Sequence, residues 1–314
     1  LSSGMAGEAL FSHKVAIGKA RLEKEFALNV VIMPNAMKGI GYLDQNPQAR
    51  ASDLMMAFGA PKIKAIITMI GGDDTIRLLP YTNFDTIKNN PKIFMGYSDT
   101  TINHFMMYKA GLVSFYGPCL LAEFAENVAM HEYTKDHIKR VLFENNDSLD
   151  ILPSREWTSE FLDWANPAND RIPRKMKEDD KGYELLQGTG TVQGTLLGGC
   201  VDVLPMLIGT DLWPAKEKWQ DHILFLETSE EQPTPNNVKY LLRGLVAQGV
   251  IEKINGIIVG KPKEEKFYNE YKDVLLQVIG KEAGRADMPI LYNMNFGHTA
   301  PMCILPYGIK AEIN

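Results

Sequence analysis

The stretch "MGYSDTT", Met95 to Thr101, places a serine where an apolar run meets a helical pattern. A serine there has two uses. It can cap the helix that follows, its hydroxyl accepting from an N–H of the first turn. It can also be a nucleophile at the apex of a strand-to-helix turn, with Gly96 permitting the tight bend. The pattern is not a full GxSxG, because Thr100 stands where the second glycine would be.

A nucleophilic serine needs a base, since its hydroxyl reacts weakly at neutral pH. The chain has six histidines. His298, in "NMNFGHTAPM", follows an apolar strand and a glycine, and so falls at the carboxyl end of a strand, where α/β sheets build their sites. His104 reads as packed within "NHFMMY", His13, His131 and His137 lie in polar surface patterns, and His222 opens a strand. The base in turn needs a buried acceptor to hold its tautomer. Glu227 closes the apolar run "HILFLE", whereas Glu230 and Glu231 read as exposed on the loop beyond. Ser98, Glu227 and His298 thus fall at strand ends in the order Ser, Glu, His.

Other candidate chemistry is weaker. In "HEYTKDH", His131 and His137 are six residues apart, so on a helix they point roughly 240° from each other and do not share a metal-binding face. "GTGTVQGTLLGG" misses the GxGxxG spacing by one residue, and no strong apolar strand leads into it. Its glycines read as turn-forming or close-packing, although Gly198 and Gly199 precede a helix whose N–H groups could face an anion. The net charge of −6 argues against nucleic-acid binding, and the one basic cluster, Arg171 to Lys177, is followed at once by "EDD" and reads as a solvated loop. Cys119, Cys200 and Cys303 are scattered singly, as buried thiols in a reducing, cytoplasmic setting would be. No stretch approaches the roughly 18 apolar residues of a membrane span.

These candidates are carried by alternating helix and strand patterns, the mark of α/β architecture with largely parallel sheets. In the first half "HKVAIGKARLEKEFA" reads as a helix, "LNVVIM" as a strand, "PQARASDLMMAFGA" as a helix, "IKAIITMI" and "KIFMG" as strands, "DTTINHFMMYKAG" as a helix and "LVSFYGP" as a strand. Beyond Asp150 the pattern dissolves into a long polar stretch, unusual within a compact domain. A second series follows: the helix "VDVLPMLIG", the strand "HILFLE", the helix "PNNVKYLLRGLVAQGV", the strand "GIIVG", a helix over 268–279 and the strand "PILYNM". The expectation is two α/β domains, 1–150 with the serine and 191–314 with the glutamate and histidine. Residues 151–190 form a linker or active-site loop, and the site lies in the cleft between the domains. The opening "LSSGMAGEALFSHK" reads as the end of a strand and a loop, and with the abrupt close "YGIKAEIN" it predicts terminal strands outside this sequence.

Taken together, "KIFMGYSDTT" with "LVSFYGP", "GTLLGG" and "ILFLE", and "GIIVGKP" and "NFGHTAPMCILPYG" resemble the LD-carboxypeptidase and microcin C immunity family of serine peptidases over essentially the whole chain. The resemblance implies a Ser98-Glu227-His298 triad. It also implies an oxyanion hole from the backbone N–H of Asp99 and of Gly71 or Gly72 in "MIGGDD", a pair that would otherwise read as a plain turn. It implies no metal or organic cofactor, and a homodimer. The implied substrate is either the L,D bond to the terminal D-alanine of a muropeptide tetrapeptide or the amide of an aminoacyl-nucleotide antibiotic. Trp157 and Trp164, in the long polar segment, are candidates for stacking on a nucleobase or for pinning the loop. "IGGDDTIRLLPY" departs from the basic-aromatic "RGGYG" form of many carboxypeptidases, which leans towards the immunity-like branch. The reading from a different class is a non-catalytic two-domain protein that binds a small anion in the same cleft.

Overall fold

The computed structural model describes residues 11–314; the first ten residues of the predicted opening strand and loop lie outside that range. Twelve strands occur among the described residues: β1 (Ala65–Ile67), β2 (Ile93–Gly96), β3 (Ser114–Tyr116), β4 (Glu156–Trp157), β5 (Lys177–Glu178), β6 (Glu184–Gln187), β7 (Val192–Cys200), β8 (His222–Glu227), β9 (Gly256–Gly260), β10 (Ile290–Met294), β11 (Leu305–Tyr307) and β12 (Lys310–Ile313). They form a four-stranded sheet in the order β1-β2-β3-β11, a six-stranded sheet in the order β12-β7-β8-β9-β10-β6, and a small β4-β5 pair.

The central strands read as continuous apolar runs because both their faces are covered. All six residues of β8 and all five of β9 are buried. The helix Pro235–Ala247 shows why a neighbouring segment covers them. Thr234 caps it by accepting from the Asn237 amide, proline occupies its first turn, and Val238, Leu241, Leu242 and Leu245 form one buried stripe.

Parallel pairing brings strand ends together. Cys200 pairs with Glu227, Leu226 with Val259, and Met294 with Gly260, so β7 to β10 end on one side of their sheet. In the other sheet Gly96 pairs with Tyr116, so β2 and β3 end together. Such carboxyl ends are where parallel sheets leave a crevice.

One apolar core runs through both sheets, including Tyr116 from the first, Leu197 and Phe225 from the second, and Phe105 from the helix Thr101–Lys109. Tyr307 joins them, its ring centroid 5.0 Å from that of Phe225 and its hydroxyl donating to the Gly198 carbonyl. Burial of each such side chain contributes about 1.5–3 kcal/mol, so the relative placement of the two sheets is set by packing. The division into segments is correspondingly less clean than the sequence implies. Within 151–190, β6 forms an edge of the larger sheet, and within 191–314, β11 crosses to the smaller one beside β3.

Three elements differ from expectation. "LNVVIM" forms no strand: it pairs with no strand among the described residues, and Val31 is 60% exposed. The helix expected over "VDVLPMLIG" contracts to Leu204–Leu207, and the one expected to end at 279 continues as a π-helical segment to Glu282.

Candidate active site

β2 delivers Ser98 in a left-handed conformation, φ +64°, a geometry that costs a non-glycine residue roughly 1–2 kcal/mol. A short 3₁₀ turn, Ser98–Thr100, leads into the helix Thr101–Lys109, and neither has a side-chain cap. The capping use of Ser98 is therefore not realised. Gly96 is required for space and not for the bend, because a Cβ there would lie 2.2 Å from Thr68 Oγ1.

The Ser98 hydroxyl instead meets His298, with Oγ 3.1 Å from Nε2. His298 Nδ1 lies 2.7 Å from Glu227 Oε2. The structure thus brings Ser98, Glu227 and His298 together from two sheets at the crevice between them. A residue that the sequence reading overlooked closes the circuit. The Tyr116 hydroxyl accepts from the Ser98 amide at 3.0 Å and donates to Glu227 Oε1 at 2.5 Å. One phenol thereby fixes both the backbone of the serine and the carboxylate that orients the histidine. Its position at the end of β3, beside the end of β2, is the signal that could have found it.

Charge at this site is set by the carboxylates. Burial opposes the imidazolium of His298, but Glu227 and Glu230 together push its pKa up to about 10. Glu230, expected to be merely exposed, places Oε2 2.9 Å from His298 Nε2 while its side chain stays 53% exposed. Its spacing of three residues from Glu227 across a turn brings both carboxylates to one ring. The Tyr97 ring presents an edge to His298, with centroids 5.1 Å apart, and burial together with nearby acids keeps its phenol neutral.

The "GGDD" loop passes close beside the serine. A Cβ on Gly71 would fall 2.7 Å from Ser98 Cβ and 2.9 Å from its Oγ, so only glycine fits against the serine. Gly72, the alternative, is exposed at the next position. The loop is tied to Asp99, whose Oδ2 accepts from the Asp74 and Thr75 amides at 3.1 and 2.9 Å. The residue after the serine therefore holds the "GGDD" turn in place.

Two expectations are corrected, since Gly198 and Gly199 do not precede a helix and His137 is not on the surface, and of the two uses offered for Trp157 and Trp164 the packing is the one seen. Gly198 and Gly199 lie within β7 and not at a helix N-terminus; a Cβ on Gly198 would strike the Phe225 carbonyl at 1.9 Å, and one on Gly199 would strike Thr101 Cγ2 at 2.4 Å. They are close-packing glycines between strands and between the two sheets. Trp157 is 2% exposed, with the ammonium groups of Lys177 and Lys261 4.7 and 4.8 Å from its ring centroid, so its faces are occupied. Trp164 is half-buried against Phe11 and Phe161. Both tryptophans pin the long segment, which is further sewn to the histidine loop where Thr158 and Ala300 exchange backbone hydrogen bonds at 2.7 and 2.9 Å. Finally, His137 is 3% exposed and not on the surface, and burial draws its pKa down to about 4. His131 is partly covered, 3.2 Å from Glu126 Oε2. The basic cluster is largely solvated as read, except that Arg174 turns in to Glu126.

The arrangement can move a proton from a serine hydroxyl to an imidazole backed by a buried carboxylate, beside a loop of backbone amides. Comparison with known proteins identifies the family. Residues 1–117 match the LD-carboxypeptidase N-terminal domain and residues 193–313 match the LD-carboxypeptidase C-terminal domain of peptidase family S66. The chain is 31% identical to the microcin C7 self-immunity protein MccF of Escherichia coli over 81% of its length and 72% of that protein's. It is 30% identical to a putative carboxypeptidase of Vibrio cholerae over 87% of its length and 79% of the relative's. Among solved structures, an MccF-like protein from Streptococcus pneumoniae in complex with AMP superposes with a TM-score of 0.91 at 38% identity, covering 99% of this chain and 93% of that one. With both domain profiles matched in order and the likeness extending across both sheets, the chain belongs to the LD-carboxypeptidase family, peptidase S66.

Proposed function

We propose that this hydrolase is serine-type, with Ser98 as nucleophile, His298 as general base and acid, and Glu227 as the carboxylate that orients the ring. The observation carrying this reading is the unbroken chain Ser98 Oγ to His298 Nε2 at 3.1 Å and His298 Nδ1 to Glu227 Oε2 at 2.7 Å. With His298 neutral at Nε2, the imidazole takes the Ser98 proton as Oγ bonds to the scissile carbonyl carbon. The amides of Asp99 and of Gly71 or Gly72 receive the charge on the carbonyl oxygen, where a single preorganised donor is worth about 10²–10³ in rate. His298 then protonates the departing amine, and an acyl-enzyme remains. Water, deprotonated by the same histidine, attacks the ester, and the proton returns to Ser98 as the acid leaves.

The substrate we favour is the amide of an aminoacyl-nucleotide. The AMP complex of the Streptococcus pneumoniae relative supports a nucleotide moiety, and the identity to MccF supports the immunity-like branch. A muropeptide is the second reading, favoured by the 27% identity to a probable murein peptide carboxypeptidase of Bacillus subtilis over 93% of this chain. Parallel assays of aminoacyl-sulfamoyl adenosine cleavage and of D-alanine release from a muropeptide tetrapeptide separate the two. Faster cleavage of the nucleotide is expected, and turnover of the tetrapeptide alone would reverse the choice.

A further inference from the structure

Glu227 and Glu230 hold opposite ends of one imidazole, yet they are built differently. Glu227 is 1% exposed and fixed by Tyr116. Glu230 lies on the loop after β8 and is half in solvent, where a ligand can reach it. Its Oε2, at 2.9 Å, shares His298 Nε2 with Ser98 Oγ, at 3.1 Å. A ring with a carboxylate on each nitrogen is most stable as imidazolium. In that state Nε2 already carries its proton and cannot accept another from the serine. The hydrogen bond to His298 correspondingly holds the Glu230 carboxyl down to about 2.

The groups around the pair are one fixed cation, two phenols and a further carboxylate. Lys263, beyond β9, acts on Glu230 through space. Tyr97 and Tyr116 are neutral phenols, and Glu123, behind Tyr97, accepts from its hydroxyl at 3.3 Å. A cation that arrives with the substrate would compete with the imidazolium for the half-exposed Glu230.

We infer that Glu230 is a specificity-determining residue whose carboxylate receives an ammonium group on the acyl side of the scissile bond and, in turning to it, frees His298 Nε2 to serve Ser98. This rests on the serine-hydrolase reading. An α-ammonium stands two bonds from the carbonyl carbon that Ser98 attacks, and both Glu230 Oε2 and Ser98 Oγ lie within 3.1 Å of the same nitrogen. The ammonium and the carboxylate are thus brought into contact range. As Glu230 leaves, His298 gives its Nε2 proton to solvent, and Glu230 exchanges one cationic partner for another. An acyl group without a cation offers no such exchange, so the contact also discriminates against it. The same chemistry is available from the α-ammonium of an aminoacyl-nucleotide or from the side-chain ammonium of a diamino-acyl residue in a muropeptide.

The test uses the full chain and a neutral fluorophosphonate, whose labelling rate reports the basicity of His298 without any substrate ammonium. Across pH 5–10, Glu230→Gln is expected to label with its curve moved by about one unit or more to lower pH, and so about tenfold faster near neutrality. Glu231→Gln, the neighbour on the loop, is expected to follow the wild type. Aminoacyl-sulfamoyl adenosine and its N-acetyl form, with a tetrapeptide bearing a free or acetylated side-chain amine, then identify which ammonium is read. The wild type is expected to prefer the free amine of one pair by about tenfold or more in kcat/KM, and Glu230→Gln to lose most of that preference. Superimposable labelling curves, or a wild type indifferent to acetylation in both pairs, would overturn the inference while leaving the hydrolase reading intact. No labelling of any form would overturn the hydrolase reading, and the inference with it.

Discussion

Two enclosed histidines share a wall of aromatic rings and differ in charge, one neutral and one cationic. His104 is fully buried, with Nδ1 2.8 Å from Ser114 Oγ, Nε2 2.9 Å from the Gly96 carbonyl and its ring stacked on Tyr307 at 4.6 Å. Burial without a carboxylate draws its pKa down to about 3, so it stays neutral. His298 is nearly as enclosed, its side chain 9% exposed, but Glu227 and Glu230 overcome the desolvation and push it up to about 10. Tyr116 touches both regions, with its ring centroid 5.6 Å from His104 and its hydroxyl on Glu227. Burial therefore decides a histidine's charge only where no anion contests it, and the proposed base is the less enclosed of the two. His104 belongs to the scaffold that holds the end of β2, whereas His298 meets the serine.

The sharpest way to break this distinction is to remove each ring in turn. His298→Ala is expected to lower kcat/KM by about 10⁴ or more, and Glu227→Gln by a similar factor because the tautomer and the imidazolium both lose their support. Steady-state kinetics on the preferred substrate measures both, and a loss below tenfold in either variant would remove that residue from the mechanism. Tyr116→Phe keeps the ring but deletes the hydroxyl between Ser98 and Glu227. Loss of a hydrogen bond to a charged group is worth about 1.5–3 kcal/mol, so a fall of roughly 10–100-fold in kcat is expected. An unchanged kcat would show that the phenol is only packing.

His104→Gln should do the reverse. It is expected to cost about 1–3 kcal/mol of stability through a buried polar group left poorly paired, measured by urea unfolding, while kcat falls less than tenfold. A kcat loss to match His298→Ala would erase the distinction. The smallest effect is on the pH dependence of stability. A histidine whose folded pKa lies above the unfolded value near 6.5 contributes stability below that pH and loses it as pH rises towards about 10; this is His298. One whose folded pKa is depressed contributes above 6.5 and loses it as pH falls towards about 3; this is His104. Stability profiles of the two variants, subtracted from that of the wild type, should slope in opposite directions.

Much of this arrangement was legible in the sequence, for identifiable reasons. "HILFLE" and "GIIVG" are strands buried on both faces, and their unbroken apolar runs announce it. A charged or polar residue that ends such a run, like Glu227, is placed at the crevice by the parallel topology alone. Relations between segments far apart in the chain were not legible. Tyr116 reads as one more aromatic in "LVSFYGP" until β3 is laid beside β2. Gly198 and Gly199 read as close-packing, but what they pack against, the neighbouring strand and Thr101, is known only once the segments are brought together. Trp157 reads equally as a stacking platform or a pin, and the choice rests on Lys177 in the paired strand β5 and Lys261 beyond β9, which converge on its ring. "LNVVIM" has strand composition without a paired neighbour among the described residues, and composition alone does not supply one. Glu230 was the most informative miss, since a half-exposed carboxylate in a polar loop carries no local sign that it reaches the histidine.

The central claim is that Ser98 is the nucleophile and that it is activated through His298. Peptide mass spectrometry after fluorophosphonate labelling addresses it most directly. A single adduct on the peptide containing Ser98 is expected, absent in Ser98→Ala and strongly reduced in His298→Ala. An adduct on another residue, or undiminished labelling of Ser98→Ala, would contradict the account.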